Sequence, residues 1–243
     1  MHEQHGTHGT HGTHGTRGTH GTRGTRATHG RGWAARGLAI GACCLGAVVV
    51  TRSVRRIGAF PGEVAATLPG DELTVEGRVH TSTHATTIAA PPGAVWPWLV
   101  QMGHRRGGWY AADRLEALMG AGDFATGRSA DRVVPELQDL TVGGVMPLSE
   151  GLDLVVAQMD APHTLVLRLD EGPLVWVWSF HLRGGSPGGG TSRLVVRTRN
   201  GARRRWLRAL LPPLELGHAA MQTLQLARLR RRIEQPRRGG PAA

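Results

Sequence analysis

The stretch from His84 to Gly103 constrains the fold of this chain more than any other. Residues 86–88 favour a strand, because threonine and isoleucine are β-branched and fit a pleated surface. Pro91 and Pro92 end that strand and can open a helix, where a missing N–H costs nothing. The apolar residues that follow have helical spacing and predict one apolar face against a large surface: Val95, Trp96, Leu99 and Met102. Pro97 lies too deep for a first-turn proline, so we expect this helix to be short or kinked.

Alternating apolar residues predict further strands downstream. The segments are 142–148, 152–159, 163–169, 174–182 and 193–199. With the strand that ends at Ile88, they make a predicted total of six strands. An amphipathic helix is predicted from Trp109 to Met119, and a turn of helix around 131–136. Pro212 and Pro213 predict the start of a last helix that runs to about Gln235. Its predicted sheet-facing residues are Leu214, His218, Met221, Leu224 and Leu229.

Several short motifs carry a family resemblance. In order, they are Leu68–Leu73, Ile88–Gly103, Gly108–Tyr110, Ala130–Glu136 and Gly217–His218. Together they resemble the SRPBCC family, the START-like or polyketide-cyclase-like superfamily, over roughly residues 55 to 235. The resemblance implies an α+β helix-grip fold, in which a curved antiparallel sheet wraps around a long C-terminal helix and leaves a pocket between them. The family pattern has seven strands, so one strand is hidden or absent here. Members handle many different apolar molecules, so the resemblance implies a function only broadly.

Outside this domain, the sequence predicts four further segments. Residues 1–32 form a degenerate His-Gly-Thr repeat without an apolar face, which predicts disorder. Residues 33–52 are apolar at their centre and flanked by arginines, which favours a single membrane anchor over a buried core helix. Residues 53–83 are interpreted as a connector that packs on a START-like domain spanning 84–235, and 236–243 as a disordered tail.

Charge is unevenly distributed along the chain. All 29 basic residues are arginine. Residues 61–198 hold 10 Arg and 15 acidic residues, a net of −5, whereas the two ends hold 19 Arg and 3 acidic residues, a net of +16. A nucleic-acid-binding domain usually carries its positive charge on the folded body, so no nucleic-acid partner is expected. Basic ends beside an apolar segment favour contact with anionic lipid headgroups, so a membrane is the expected partner.

The cysteines indicate neither disulfides nor metal. Cys43 and Cys44 are adjacent, and neighbouring residues do not easily meet disulfide geometry. No oxidising compartment, metal or other cofactor is therefore expected. We expect a membrane-anchored protein whose domain lies in the cytoplasm, with a soluble cytoplasmic protein as the alternative.

Aromatic residues mark the predicted pocket. The strand 174–182 places its tryptophans and phenylalanine on one face, opposite the last helix. The candidate ligand-binding residues are Trp109, Tyr110, Trp176, Trp178, Phe180, His218 and Met221. The alternative is that these side chains simply fill the core.

Acid–base chemistry is a second hypothesis for the same pocket. Glu215 and His218 are three residues apart on the last helix and share a face, and Tyr110 is the only tyrosine. Three functions therefore stay open. The first is binding of a lipid-like or polyaromatic molecule at a membrane. The others are a cyclase or dehydratase that uses these three residues, and a non-catalytic co-regulator or assembly protein.

Overall fold

A computed structural model of the protein describes residues 53–73, 79–111, 129–185, 189–204, 206–207 and 211–235, with the backbone alone for 211–215. The predicted repeat (1–32), membrane anchor (33–52) and tail (236–243) lie outside these residues, as does the predicted helix beyond Ala111. Within the described part of the chain, no helix combines the length and apolar character needed to cross a bilayer.

Six antiparallel strands form one sheet, as the alternation predicted. They are β1 (Val79–Ile88), β2 (Val145–Ser149), β3 (Leu152–Asp160), β4 (Thr164–Glu171), β5 (Leu174–Gly184) and β6 (Ser192–Ala202). Their order across the sheet is β1-β6-β5-β4-β3-β2, so β1 crosses to pair with β6 and the others follow as neighbours. β1 begins at Val79, five residues before the predicted domain start at His84.

Three complete α-helices lie within the described residues and accompany the sheet. They are α1 (Pro61–Ala65), α2 (Pro92–Val100) and the long C-terminal α3 (Leu211–Glu234). α2 is short, as Pro97 predicted, and buries Val95, Leu99 and Val100. The turn of helix predicted around 131–136 is a 3-10 helix at Pro135–Leu137.

The helix predicted to start at Trp109 is wrong for its first three residues. Gly103 and Gly108 form an antiparallel bridge. Gly108 has a φ of 77°, and a Cβ there would lie 2.7 Å from Ser129 Oγ. Tyr110 follows with a φ of 57°, a left-handed conformation that a helix does not accept. This loop therefore turns Trp109 and Tyr110 inward instead of starting a helix.

The main core lies on the inner face of the sheet, which we define as the face that carries Ile88, Trp178 and Phe180. These residues are buried with apolar residues of α2 and with Leu226 and Leu229 of α3. α3 lies against β1 and touches α2. The inner face and α3 therefore form the two walls between which a pocket was expected.

The opposite, outer face is covered by residues 53–73. Leu68 packs with Ala85 and Val195, and Leu73 packs against the valines of β4 and β5. The same segment covers the free edge of β1, where Thr83 N donates to Arg55 O at 2.7 Å. Gly58 is required at this edge, because its φ is 72° and a Cβ would come within 2.2 Å of Ala85 O. A sheet edge that would otherwise be unpaired is protected in this way.

Two arginines of β6 hold this cover in place. Arg193 pairs with Glu63, with its Nε 2.7 Å from Oε1 and its Nη2 2.8 Å from Oε2. This bond to Arg193 holds the pKa of Glu63 below its usual range. Arg197 is 3% exposed and donates to Asp71 Oδ2 and to the carbonyl oxygens of Ala66 and Glu63, each at 2.7 Å. The guanidinium thus binds the last turn of α1, where carbonyl groups lack helical partners.

Candidate functional site: an aromatic cavity under the C-terminal helix

A cavity of about 290 Å³ lies between the inner face of the sheet and α3. This volume is near the lower limit of the roughly 300–1,000 Å³ typical of small-molecule pockets. Its walls are predominantly apolar, and no lining residue carries a formal charge apart from a titratable histidine. The lining residues are Trp109, Ala111, Leu148, Leu152, Trp176, Trp178, His218, Met221, Gln222 and Gln225.

Three tryptophans form a stack in one wall. The ring of Trp178 lies between those of Trp109 and Trp176, with centroid distances of 5.1 and 5.9 Å and interplanar angles of 19° and 18°. Trp176 and Trp178 share the inner face of β5 because they are two residues apart in a strand. The loop at Gly108 adds Trp109, whose Nε1 donates to Leu148 O at 3.1 Å. Trp176 Nε1 is buried without a hydrogen-bond partner among the described residues, so stacking alone orients that ring. Rings with so few free torsions give the wall a defined shape.

His218 closes the stack from α3. Its ring meets Trp176 and Trp178 edge to face, at centroid distances of 5.1 and 5.5 Å. Its Nε2 lies 3.0 Å from the Thr198 hydroxyl. Burial among these rings lowers the pKa of His218 to about 3. The imidazole is therefore neutral at physiological pH and is a weak general base.

A chain of hydrogen bonds crosses the helix side of the cavity. Trp178 Nε1 donates to Gln222 Oε1 at 2.9 Å, and Gln222 Nε2 donates to Gln225 Oε1 at 2.6 Å. Gln225 Nε2 then donates to the carbonyl oxygen of Trp109 at 2.9 Å and to Met102 Sδ at 3.7 Å. Both amide protons of Gln225 are used, whereas Gln222 keeps one N–H. An apolar cavity is thus provided with one amide donor.

Five of the seven predicted ligand-binding residues border this cavity: Trp109, Trp176, Trp178, His218 and Met221. Phe180 does not. It is 1% exposed and packs beneath Trp178 at a centroid distance of 5.1 Å, so it belongs to the core. Alternation along a strand predicts the face on which a side chain lies, but not whether that side chain borders the cavity or lies in the core. The sequence therefore could not separate Phe180 from Trp176 and Trp178.

Tyr110 is also a core residue rather than a cavity residue. Its hydroxyl donates to Trp98 O at 3.2 Å and accepts from Gln101 Nε2 at 2.8 Å. Burial raises the pKa of Tyr110 above its usual range. A hydroxyl that is buried and already bonded in this way is not placed to act on a ligand in the cavity. The side chain of Glu215 lies outside the described residues, so the Glu215–His218 pair stays a prediction.

The sequence reasoning missed the two glutamines of the cavity wall. Gln222 and Gln225 lie four and seven residues after His218, which is the spacing of one helix face. Their positions on the face that carries His218 were therefore available from the sequence. The helix face was predicted from its apolar residues, and glutamine was left out because it is usually exposed. The described residues contain no group of three or more His, Cys, Asp or Glu that could hold a metal ion.

A six-stranded antiparallel sheet that grips a long C-terminal helix is the START-like arrangement, so the fold expected from the SRPBCC resemblance is confirmed. No protein-family model matches the chain, and the comparison with curated proteins finds no relative.

Solved structures with partial similarity to this chain have low sequence identity to it. Truncated norcoclaurine synthase from Thalictrum flavum is 13% identical with a TM-score of 0.40, covering 65% of this chain and 95% of its own. CalU16 from Micromonospora echinospora is 14% identical with a TM-score of 0.33, over 68% and 88%. Protein CV1439 from Chromobacterium violaceum is 13% identical with a TM-score of 0.41, over 63% and 96%. These similarities carry no conclusion about activity.

Proposed function

We propose that this protein binds a neutral, largely apolar molecule with one to three rings in the cavity under α3. The observation that carries the proposal is a void of about 290 Å³ beside three stacked indoles, with no permanently charged side chain in its wall. An engineered apolar cavity of about 150 Å³ holds benzene, so about twice that volume suits a small ring system.

The chemistry of the wall favours a neutral ligand over an ionic one. A charged group buried without a counter-charge loses its hydration and gains no ion pair. His218 does not supply a cation, because its pKa is about 3. The remaining N–H of Gln222 suits a carbonyl, ether or hydroxyl oxygen on the ligand. Burying about 300 Å² of ligand apolar surface would contribute roughly 7 kcal/mol before the costs of binding.

The enzyme hypothesis receives less support from the same geometry. Of its three candidate residues, Tyr110 lies in the core and His218 is a neutral, weakly basic imidazole. No observation on the described residues favours a second function over binding, so binding alone is proposed here.

A pair of fluorescent probes tests the proposal on the full chain. N-phenyl-1-naphthylamine is neutral, and 1-anilinonaphthalene-8-sulfonate has the same rings with a sulfonate added. We expect the neutral probe to bind at least about tenfold more tightly, because the sulfonate would be desolvated without a partner. Equal affinity for the two probes would contradict a cavity that selects neutral ligands.

Filling the cavity locates the binding site. Met221→Trp adds an indole to the cavity wall and should weaken binding of the neutral probe by about tenfold or more. Leu216→Trp is the matched control, since Leu216 lies on the same helix and is 53% exposed. Binding that survives Met221→Trp unchanged would place the ligand elsewhere.

A further inference from the structure

A second cavity, of about 520 Å³, lies on the outer face of the sheet, where residues 53–73 cover β1 and β6. It is separate from the aromatic cavity, since the two share no lining residue. Its walls are polar and basic. They are formed by Arg55, Arg56, Val64, Ala65, Ala66, Thr67, Asp71, Thr81, Thr83, Arg197 and Arg199.

This basic pocket carries a strong excess of positive charge. Even without Arg55, whose Nη2 lies 3.1 Å from His80 Nδ1, three arginines and one aspartate line it, a formal balance of +2. Asp71 is shared between two of the arginines, with Oδ2 2.7 Å from Arg197 Nη1 and Oδ1 3.1 Å from Arg199 Nη1. A single carboxylate therefore does not neutralise the guanidinium groups around it. Arg56 and Arg199 lie just outside the net acidic stretch between 61 and 198.

Several donors in the basic pocket still lack acceptors. The Nε of Arg199 is buried and has no hydrogen-bond partner among the described residues. Thr83 Oγ1 accepts from Arg197 Nε at 3.1 Å, which leaves its own proton to donate. Arg56 is exposed, and no acidic residue in the described part of the chain pairs with it. Thr81 faces the same side as Arg199, its partner in the β1–β6 register.

Arg197 supplies fixed charge rather than a free donor. All five of its N–H groups are directed at protein acceptors: Thr83 Oγ1, Asp71 Oδ2 and the carbonyl oxygens of Glu63, Val64 and Ala66. This network fixes one guanidinium at the back of the basic pocket before any ligand arrives. A prepositioned positive charge strengthens anion binding, because less order is lost on association.

We infer that the basic pocket binds the phosphate group of an anionic ligand. Phosphate has several strong acceptor oxygens, and arginine with hydroxyl donors is the set that matches them. Two sources share this chemistry, namely the headgroup of an acidic phospholipid and a free phosphate. Arg55 and Arg56 lie three and four residues after the segment 33–52 that the sequence predicts as a membrane anchor, which favours the headgroup.

Calorimetric titration of the full chain, held in phosphatidylcholine nanodiscs, tests the inference. The titrants are inorganic phosphate, dihexanoyl phosphatidic acid and, as the zwitterionic control, dihexanoyl phosphatidylcholine. Binding of phosphatidic acid at least about tenfold tighter than of phosphatidylcholine is expected. If inorganic phosphate binds equally well, the source is a free anion, and if it binds much more weakly, the source is a headgroup. Binding of neither anion above the control overturns the inference.

Substitutions locate the site. Thr81→Val and Arg56→Gln should each weaken anion binding about three- to tenfold, and together about tenfold or more. Both act on the basic pocket without touching the Arg197 network, so the fold is expected to persist and is checked by the melting temperature. Arg168→Gln removes the same charge elsewhere on the sheet, where Arg168 pairs with Asp170 at 2.7 Å. If Arg168→Gln weakens anion binding by the same factor, the effect comes from the overall charge of the protein, and the assignment of the site is overturned.

Discussion

Burial lowers the pKa of two histidines that line opposite sides of the sheet, His218 and His181. His218 lies among indole rings, and burial lowers its pKa to about 3. His181 is 4% exposed on the outer face, and its pKa is lowered to about 4, first by burial and then by the charges of Arg197 and Arg183. Asp71 acts in the opposite direction but does not offset them. Both rings are therefore neutral in the folded protein at neutral pH.

A lowered histidine pKa makes the fold sensitive to acid. The unfolded chain binds a proton at His181 near pH 6.5, whereas the folded protein binds it only near pH 4. Stability from this residue is therefore fully present above about pH 6.5 and is lost as the pH falls toward 4. We expect the free energy of unfolding to drop by about 2 kcal/mol between pH 8 and pH 5 through His181 alone. Urea denaturation at the two pH values measures the drop.

His181→Leu separates this contribution from those of other groups. The variant has no proton to bind, so its stability should fall by about 2 kcal/mol less than that of the wild type over the same pH interval. His163→Leu is the control, since His163 lies in the adjacent turn and its Nδ1 is 3.1 Å from Leu182 O. Parallel pH profiles for the wild type and His181→Leu would refute the assignment.

At the residue scale, the sequence predicted most of the residues that border the aromatic cavity, but not which of the candidates lie in the core instead. Helical and strand spacing correctly brought Trp176, Trp178, His218 and Met221 to one cavity. Tyr110 was misplaced because its position depends on a left-handed backbone after Gly108 and on Gln101, a long-range partner. A left-handed residue in a loop produces no periodic pattern of apolar residues, so the sequence did not predict it.

At the scale of elements, strand alternation was more informative than helical spacing. All six predicted strands are present. Every second side chain of a strand lies on the same face, so the alternation that predicts a strand depends only on neighbouring residues. The buried face of α3 was only partly predicted. Leu229 is buried as expected, but Ala219, Gln222 and Gln225 are buried beside it. The burial of the two glutamines depends on a hydrogen-bond chain to Trp178 and Trp109, which the preference of a single residue type does not predict.

Arg197 joins two elements that are far apart in sequence, strand β6 and helix α1. We expect Arg197→Gln to lower the free energy of unfolding by about 3–5 kcal/mol, because Asp71 and three carbonyl groups would lose their buried partner. Urea denaturation at pH 7 measures the loss.

An exposed ion pair provides the control for the contacts between Arg197 and α1. Arg168→Gln breaks the pair with Asp170, in which the two side chains are 37% and 33% exposed. This substitution should lower the free energy of unfolding by less than about 1 kcal/mol. If both substitutions cost the same small amount, Arg197 does not hold α1 on the sheet.

On the scale of the whole molecule, the sheet is covered on both sides. α3 lies on the inner face and leaves the aromatic cavity, while residues 53–73 cover the outer face and leave the basic pocket. The sequence interpretation treated 53–83 as a connector. Its apolar contacts with Val166, Val175 and Val195, however, resemble those of a core layer. We therefore propose that the folding unit begins near Ser53.

Truncation tests this boundary. A chain that begins at Ser53 should unfold cooperatively within a few degrees of the full chain, because it keeps every described contact of the outer face. A chain that begins at Val79 exposes Val166, Val175 and Val177 and leaves Arg197 without Asp71. A loss of at least about 3 kcal/mol is expected there, which lowers the melting temperature by about 10 °C or prevents folding.

Circular dichroism melts of three chains measure the effect: 53–243, 79–243 and, as the control for removal of terminal residues, 1–235. The control should melt like the full chain, since it keeps α3 and both covers of the sheet. Exposed valines on the outer face should also make 79–243 bind a hydrophobic dye or aggregate. A cooperative melt of 79–243 at the temperature of the full chain would show that residues 53–73 are a connector after all, and that the sheet is stabilised from its inner face alone.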